Sequence, residues 1–245
     1  MLTNKRKLYE GKAKIIFTQG KDSDVVIQHF KDDITAFNSK KKTVLPGKGV
    51  LNNYIAGFFM EKLNNIGINT HFIKLLNMKE QLVKKVDMIP LEVVVRNVAA
   101  GGLCSRLGVE EGMPLEPTIV EFYYKIDDDP LVIDDHIVNC LRLLSIWELD
   151  EIKITVMRIN DFLRGVFAAV GITLVDFKVE FGHYNGQLLL ADEISPDSCR
   201  LWDNETKQKL DKDSYRLELG DVIKRYKEVA KRLGILIPIL DNIDQ

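Results

Sequence analysis

A hairpin signal in the last third of the chain limits the folds open to it more than any other feature. Residues 174–197 read Leu174-Val-Asp-Phe-Lys-Val-Glu-Phe-Gly182, His183-Tyr-Asn-Gly186 and Gln187-Leu-Leu-Leu-Ala-Asp-Glu-Ile-Ser-Pro-Asp197. An Asn-Gly between two strand-like runs is a strong short-range hairpin signal. In the first run Phe177, Val179 and Phe181 face one way and Asp176, Lys178 and Glu180 the other, because strand side chains alternate. A three-residue loop, Tyr184 to Gly186, would pair His183 with Gln187 and set Asp192 opposite Lys178. One face then carries three carboxylates and one ammonium. Crowded carboxylates repel unless a cation sits among them, and a hard divalent cation with oxygen ligands answers that need. A solvated hairpin face with no function is the competing reading. A two-residue loop would instead put Glu193 on the charged face. The three-residue register is the expectation taken forward.

The remaining chain supplies elements around that hairpin. Lys7-Leu-Tyr-Glu-Gly-Lys-Ala-Lys-Ile-Ile-Phe17 reads as strand, Gly turn, strand, with Lys12 and Lys14 on one face. It is either a loop that covers phosphates or a plain hairpin. Neither it nor Pro46-Gly-Lys-Gly49 is a Walker A sequence. Residues 24–30 form a strand, and 32–39 with the lysine run 40–42 a loop. Residues 49–67 form a helix with a broad apolar face, stopped by Gly67. Strands follow at 70–76, 80–86 and 91–98, and Asp87-Met-Ile-Pro90 is a connector suited to a hinge. After Val93-Val-Val-Arg-Asn97, the small residues 99–102 lead into a short helix at 103–107. Backbone N–H groups there, with Arg96 and Arg106, would suit a carboxylate or phosphate; a tight packing turn with surface arginines is the alternative. A strand at 118–125 precedes the acidic stretches Asp127-Asp-Asp-Pro130 and Asp134-Asp-His136, read as metal site or solvated turn. A long amphipathic helix spans 148–170 with Ile152, Val156, Ile159, Leu163 and Phe167 on its apolar side. Residues 194–203 are irregular, 211–216 a polar connector, and 219–233 a final helix.

Composition excludes more than it selects. The 245 residues suit one large domain or two intimate ones, and a net charge of -2 gives no electrostatic case for nucleic acid or an anionic membrane. Cys104, Cys140 and Cys199 form no CxxC pair, so neither zinc nor a disulfide framework is indicated, and free thiols fit a reducing cytoplasm. The polar N-terminus predicts no signal peptide, and no apolar run reaches transmembrane length. No internal repeat is visible.

Taken together, Tyr9-Glu-Gly-Lys-Ala-Lys14, Leu82-Val-Lys-Lys-Val-Asp-Met-Ile-Pro90, Val94-Val-Arg-Asn97 with Ala99-Ala-Gly101, the run 174–182, and Asp192-Glu-Ile-Ser-Pro-Asp197 with Arg200-Leu-Trp-Asp203 resemble the SAICAR synthetase family in order and spacing. The resemblance spans about residues 8–236 and is to the compact bacterial form. It implies an α+β fold of two lobes: an antiparallel β lobe at 1–88 and a larger α/β lobe at 89–245, with ATP in the cleft between them. It implies ATP-dependent ligation of L-aspartate to a carboxyaminoimidazole ribonucleotide in purine biosynthesis, through an acyl phosphate. Mg²⁺ and a cytoplasmic homodimer are implied as well.

The resemblance also assigns residues. Gly11, Lys12 and Lys14 would cover the ATP phosphates. Met88 would meet adenine through its backbone, and Lys125 would lie near the nucleotide. Glu180 and Asp192 would bind Mg²⁺, with Asp176 and Lys178 beside them as catalytic residues. Arg96, Gly102, Asp197 and Arg200 would hold the ribonucleotide. Where the family often has Ser after Ala-Ala-Gly, this chain has Gly102, so backbone N–H groups or Ser105 would take over that contact. The loop 126–130 is shorter and more acidic than the family pattern. Two rival readings are a small-molecule kinase of the same two-lobed type and a non-catalytic nucleotide-binding module. The first lacks the protein-kinase His-Arg-Asp and Asp-Phe-Gly sequences; the second would predict loss of the acidic pair, which is present.

Overall fold

A computed structural model describes residues 5–18, 20, 23–36, 41–126 and 129–238. The expectations on Phe37, Asn38, Ser39, Lys40, Asp127 and Asp128 lie outside the described residues. In chain order the first half contains β1 (Arg6–Glu10), β2 (Lys14–Thr18), β3 (Val25–Phe30), β4 (Asp33–Ala36), β5 (Lys41–Val44), α1 (Lys48–Asn65), β6 (Phe72–Asn77), β7 (Glu80–Lys84) and β8 (Asp87–Val98). The second half contains α2 (Gly102–Leu107), β9 (Pro114–Tyr124), β10 (Leu131–Val132), a π-helical turn (His136–Cys140), α3 (Ile146–Ala169), β11 (Ile172–Tyr184), β12 (Gln187–Ala191), β13 (Cys199–Asp203), α4 (Asp213–Arg216) and α5 (Val222–Arg232).

The strands form two larger antiparallel sheets and one ribbon, an α+β arrangement. The first sheet runs β1-β2-β3-β7-β6, and the second β10-β9-β8-β11-β12 with β13 also paired to β11. β4 and β5 pair with each other, so much of what reads as a loop at 32–42 is a two-stranded ribbon. α1 packs on the first sheet, burying Leu51, Ile55, Phe59, Met60 and Leu63. α3 packs on β11 and β8. Ile152, Val156, Ile159, Leu163 and Phe167 meet the apolar face of Phe177, Val179 and Phe181 in one core. Each such side chain contributes about 1.5–3 kcal/mol of burial. The period-two alternation of β11 thus assigns its two faces correctly: apolar toward α3, charged toward the first sheet.

The strand read at 118–125 is Pro114–Tyr124, the connector 211–216 contains α4 and the final helix is Val222–Arg232; four further differences have a clear physical reason. Tyr184 pairs with Gln187, so the hairpin loop is the two-residue Asn185-Gly186 and not the three-residue one. Both loop residues have positive φ, 50° and 74°, the conformation that matches the twist of a two-residue hairpin. The expected hinge 87–90 is already strand β8; between the pairs Glu180–Glu92 and Gly182–Met88, β8 spends two extra residues, Ile89 and Pro90, as a bulge. Proline lacks the N–H a regular ladder needs, and a bulge tolerates that. The irregular stretch 194–203 contains β13, which adds to the β11 edge. Finally, α3 begins two residues early because Ser145 and Glu148 form a capping box, with Ser145 N–H donating to Glu148 Oε2 at 2.9 Å.

The two sheets are joined at a backbone seam. His71 N–H donates to the Leu190 carbonyl at 2.8 Å, and Leu190 N–H to the Asn69 carbonyl at 3.0 Å. This fixes the end of β12 against the first sheet. Because the Ser145 cap anchors the helix beneath the charged strand, Ser145→Ala is expected to cost about 1 kcal/mol. Urea denaturation measures it, and kcat at saturating substrate should stay unchanged.

Candidate active site

The charged face of the second sheet is built from cross-strand pairs. On β11, Asp176, Lys178 and Glu180 lie opposite Arg96, Val94 and Glu92 of β8. Glu121 and Tyr123 of β9 extend the same face. On the other side a bulge between Leu174 and Asp176 sets Arg200 of β13 opposite Asp176; without it Arg200 would face Val175. The bulge therefore aims a guanidinium at a buried carboxylate. Arg200 Nη1 reaches Asp176 Oδ2 at 2.6 Å and its Nε reaches Asp213 at 2.7 Å. Arg96 donates to the same Asp176 oxygen at 3.0 Å, to Glu121 at 2.7 Å and to the Tyr123 hydroxyl at 3.3 Å. Burial pushes the Asp176 carboxyl up, against the pull of Arg200 and Arg96.

One residue further along the face, Lys178 pairs with Glu92 and lies 3.7 Å from Glu180 Oε1. Lys125 donates to Glu180 Oε2 at 2.6 Å. Asp192 joins this group by an unexpected route. β12 pairs only as far as Ala191, and Asp192 takes φ 62°, leaving the strand. In the observed register a regular extension would put Asp192 opposite Val179, toward the core. The left-handed turn brings it among the lysines instead, where Lys14 of β2 pairs with both Asp192 and, at 2.9 Å, Glu193. Burial and the charge of Asp192 push Glu180 up, against Lys178 and Lys125. Burial works against ionised Asp192 too, but Lys14, Lys178 and Lys125 hold it down. Burial likewise opposes the charge on Lys14, yet its two carboxylates raise it well above an ordinary lysine. His71, buried beneath Asp192, is pushed down to about 4 by burial and stays neutral.

The expected residues therefore fall into distinct groups. Asp176, Lys178, Glu180, Asp192, Lys14, Lys125, Arg96 and Arg200 share one polar face. Gly11 closes the β1–β2 turn through its N–H to the Lys14 carbonyl at 2.8 Å, and Lys12 stands exposed beside it. Met88 is 45% exposed at the start of β8, opposite Gly182. A Cβ on Gly101 would come within 2.5 Å of Arg200 Nη2, which places that guanidinium edge against the Ala-Gly turn. Gly102, next in the turn, faces open space. Arg106 does not stand free for an anion as expected: it pairs with Glu121 and Tyr123. Of the acidic stretch 134–136, Asp134 pairs with Lys153. Among the described residues no group of three or more His, Cys, Asp or Glu forms a ready-made metal cage.

Asp197 lies inside rather than on the surface of its loop. Lys48 Nζ reaches its Oδ2 at 2.6 Å and the Tyr226 hydroxyl its Oδ1 at 2.6 Å. Lys48 and Tyr226 are missed by sequence reasoning, as are Glu92 and Glu121; Glu193 is the residue that the two-residue loop was expected to bring to the charged face, and it pairs with Lys14 at 2.9 Å. For Lys48 a signal exists: a cation in the first turn of a helix opposes the helix dipole. Such a residue needs a carboxylate nearby. Tyr226 reads only as apolar spacing on the last helix.

Comparisons with known proteins bear on the family and the fold. The SAICAR synthetase family model matches residues 7–233. The phosphoribosylaminoimidazole-succinocarboxamide synthase of Neorickettsia sennetsu is 57% identical over 96% of this chain and 98% of its own length. The crystal structure of the synthase from Ehrlichia chaffeensis superposes with a TM-score of 0.91 at 54% identity, covering 95% of this chain and all of that one. A SAICAR synthetase solved in complex with ADP superposes at 0.89 and 46% identity, over 94% of this chain and 98% of that one.

The buried Lys48–Asp197 pair generates a stability prediction. Lys48→Met strands a buried carboxylate and is expected to cost about 3–5 kcal/mol at pH 7, read by urea denaturation. Burial opposes ionisation of Asp197, but Lys48, Lys212 and Tyr226 hold its ionisation well below the usual range. A depressed carboxyl contributes stability in full above its unfolded pKa, about 3.9, and loses it as pH falls below. The cost of Lys48→Met should accordingly shrink between pH 4 and pH 3.

Proposed function

Since the chain belongs to the SAICAR synthetase family, we propose that the polar face between its two sheets carries that family's reaction, with Glu180 and Asp192 as the centre of the site. The chain is an ATP-dependent ligase: it joins L-aspartate to the carboxylate of the carboxyaminoimidazole ribonucleotide in purine biosynthesis, releasing ADP and phosphate. A free carboxylate is a poor acyl donor, because its leaving group would be oxide. In the reading advanced here a carboxylate oxygen attacks the γ-phosphorus and ADP departs, leaving an acyl phosphate. The aspartate amine then attacks the acyl carbon, phosphate leaves, and the nitrogen loses a proton. Phosphoryl transfer asks a protein mainly for positioning and charge neutralisation.

The residues take roles accordingly. Lys12 and Lys14, at the Gly11 turn, face the ATP phosphates, with Met88 at the adenine end and Lys125 near the nucleotide. Glu180 and Asp192 fit a magnesium ion: they are hard oxygen donors, the charge of Asp192 raises the cost of ionising Glu180, and lysines offset both. Mg²⁺ is held by one or two carboxylates plus substrate phosphates, so a complete protein cage is not required. Bound there, the ion would neutralise phosphate oxygen charge. Lys178 adds positive charge beside Glu180, and Asp176 holds Arg96 and Arg200 in register for the ribonucleotide. The Arg200 edge at Gly101 and the open space at Gly102 suit its phosphate. The observation that carries the reading is the arrival of Glu180, Asp192 and Lys14 at one point from three separate strands or their ends.

The division into lobes at 1–88 and 89–245 is proposed as well: the first sheet draws on residues 6–84 and the second on 87–203, so β8 starts two residues before that boundary. A cytoplasmic homodimer is proposed as well. Free Cys104, Cys140 and Cys199 suit a reducing compartment. Trp147 and Ile154, seven residues apart on α3, are 80% and 64% exposed and suit an interface between two copies. Among the described residues no helix is long and apolar enough to cross a membrane.

Purified protein with ATP, Mg²⁺, the ribonucleotide and aspartate tests the reading. ADP should appear only when both co-substrates are present. ADP without aspartate, with a stable phosphorylated product, would mean a kinase; ATP binding without turnover would mean a binding module. Glu180→Gln and Asp192→Asn should each lower kcat by about 10²–10³-fold or more, a far larger effect than the loss of stability read by thermal unfolding. Near-normal kcat in either variant at saturating Mg²⁺ would remove the metal role.

A further inference from the structure

The cations of the polar face are almost all matched by carboxylates. Lys14, Lys48, Lys125, Lys178, Arg96, Arg106, Arg200 and Arg216 each form an ion pair. Among the described residues around this face, the exceptions are the exposed Lys12 and the half-buried Lys212. Lys212 is the more telling, because a half-buried ammonium normally finds a partner. Its backbone is fixed: its N–H donates to the Pro196 carbonyl at 3.1 Å, and its own carbonyl accepts from Tyr215 and Arg216. The carboxylate that attracts it most, Asp197, is already committed at both oxygens, to Lys48 and Tyr226. Burial accordingly lowers the Lys212 pKa despite the attraction of Asp197, with Arg216 and Lys48 adding repulsion.

Arg216 sits four residues on, beside Lys212. It uses Nη1 on Asp213 at 2.5 Å while its side chain is 34% exposed. The same Asp213 holds Arg200 on its other oxygen. The Asp213 carboxylate thus separates two positive positions: Arg200 facing Gly101 on one side, and Lys212 with Arg216 on the other. Arg200 is met by two carboxylates, Asp176 and Asp213, whereas at the second position Asp213 reaches Arg216 and leaves Lys212 without a partner among the described residues. This structure calls for an anion at the second position that the protein does not supply.

We propose that Lys212, assisted by Arg216, is the seat for a carboxylate of the L-aspartate co-substrate. The inference rests on the ligase reading above. The ATP phosphates have Lys12 and Lys14, and the ribonucleotide phosphate has Arg200 at the Gly101 turn. Aspartate brings two carboxylates and must present its amine near Glu180 and Asp192, yet none of the residues assigned so far is left to hold it. An ammonium on a backbone pinned to the 195–197 turn supplies a fixed point for one carboxylate. The charge-assisted hydrogen bond formed there satisfies both partners.

Steady-state kinetics of Lys212→Met, with each of the three substrates varied in turn, test this. The KM for aspartate should rise about 10–100-fold, the range set by one charge-assisted hydrogen bond. The KM values for ATP and the ribonucleotide should stay within about twofold, and Lys212→Arg should restore most of the loss. Succinate, a dicarboxylate with no amine, should inhibit the wild type competitively with aspartate and inhibit Lys212→Met much more weakly. Because Lys212 has no partner to lose, its thermal unfolding temperature should hold or rise. A rise in the ribonucleotide KM in place of the aspartate KM would assign the site to phosphate and overturn the proposal. So would an unchanged aspartate KM, or a fall in unfolding temperature with succinate inhibition intact. If Lys212→Met does not fold, Lys212→Gln carries the same kinetic comparison. Failure of the wild type to form product would defeat the ligase reading; a wild type that turns over beside an unaffected variant defeats only this inference.

Discussion

Carboxylates on the inner face of a sheet need matching charge before the sheet can pack. Asp176, Glu180, Asp192, Glu193 and Asp197 are all largely buried, and each is met by a lysine, an arginine or a hydroxyl. Taking such a charge out of water costs several kcal/mol unless a partner offsets it. The positions of Lys14, Lys48, Lys125 and the two arginines are therefore conditions of the fold. Under the proposed function the same lattice is a poised site: a cation that left its carboxylate for a substrate phosphate would free that carboxylate for a metal, with little net change in buried charge.

The bond that joins the halves of this lattice is Lys14 to Asp192. Lys14 comes from the first sheet and Asp192 from the end of a strand in the second. Beside it, the His71–Leu190 backbone bond holds the hairpin end still. The Lys48–Asp197 pair repeats the device, tying the start of α1 to the loop after β12. Polar contacts across such a seam give direction as well as attraction, which an apolar seam would not. Two bulges complete the geometry: one aims Arg200 at Asp176, and the other absorbs Pro90 where the chain passes between sheets.

Much of this was legible in the sequence, and the failures have causes. The alternation in 174–182 identified both faces of β11, because period two is a property of any strand. The apolar spacing of 148–170 identified the helix beneath it. The hairpin register was not legible: Asn-Gly serves two-residue and three-residue loops alike, and the argument for the longer loop assumed that Asp192 stayed extended. Its φ of 62° breaks that assumption and brings the residue to the charged face from the shorter register. The long-range partners of Asp197 were hidden for another reason. Lys48 and Tyr226 lie 149 and 29 positions away, and no local pattern records such a pairing. Strand β13 reads as irregular because its residues mix Cys, Arg, Trp and Asp, which a strand with one face in a site can carry.

The central claim is that the lysines on this face hold places for ligands. The most direct measurement is a crystal structure of the chain with Mg²⁺ and a non-hydrolysable ATP analogue. The account predicts a metal ion bound by Glu180 and Asp192, with Lys14 moved from Asp192 onto phosphate oxygen. A structure in which Lys14 still pairs with Asp192 while the metal and phosphates bind elsewhere would contradict it.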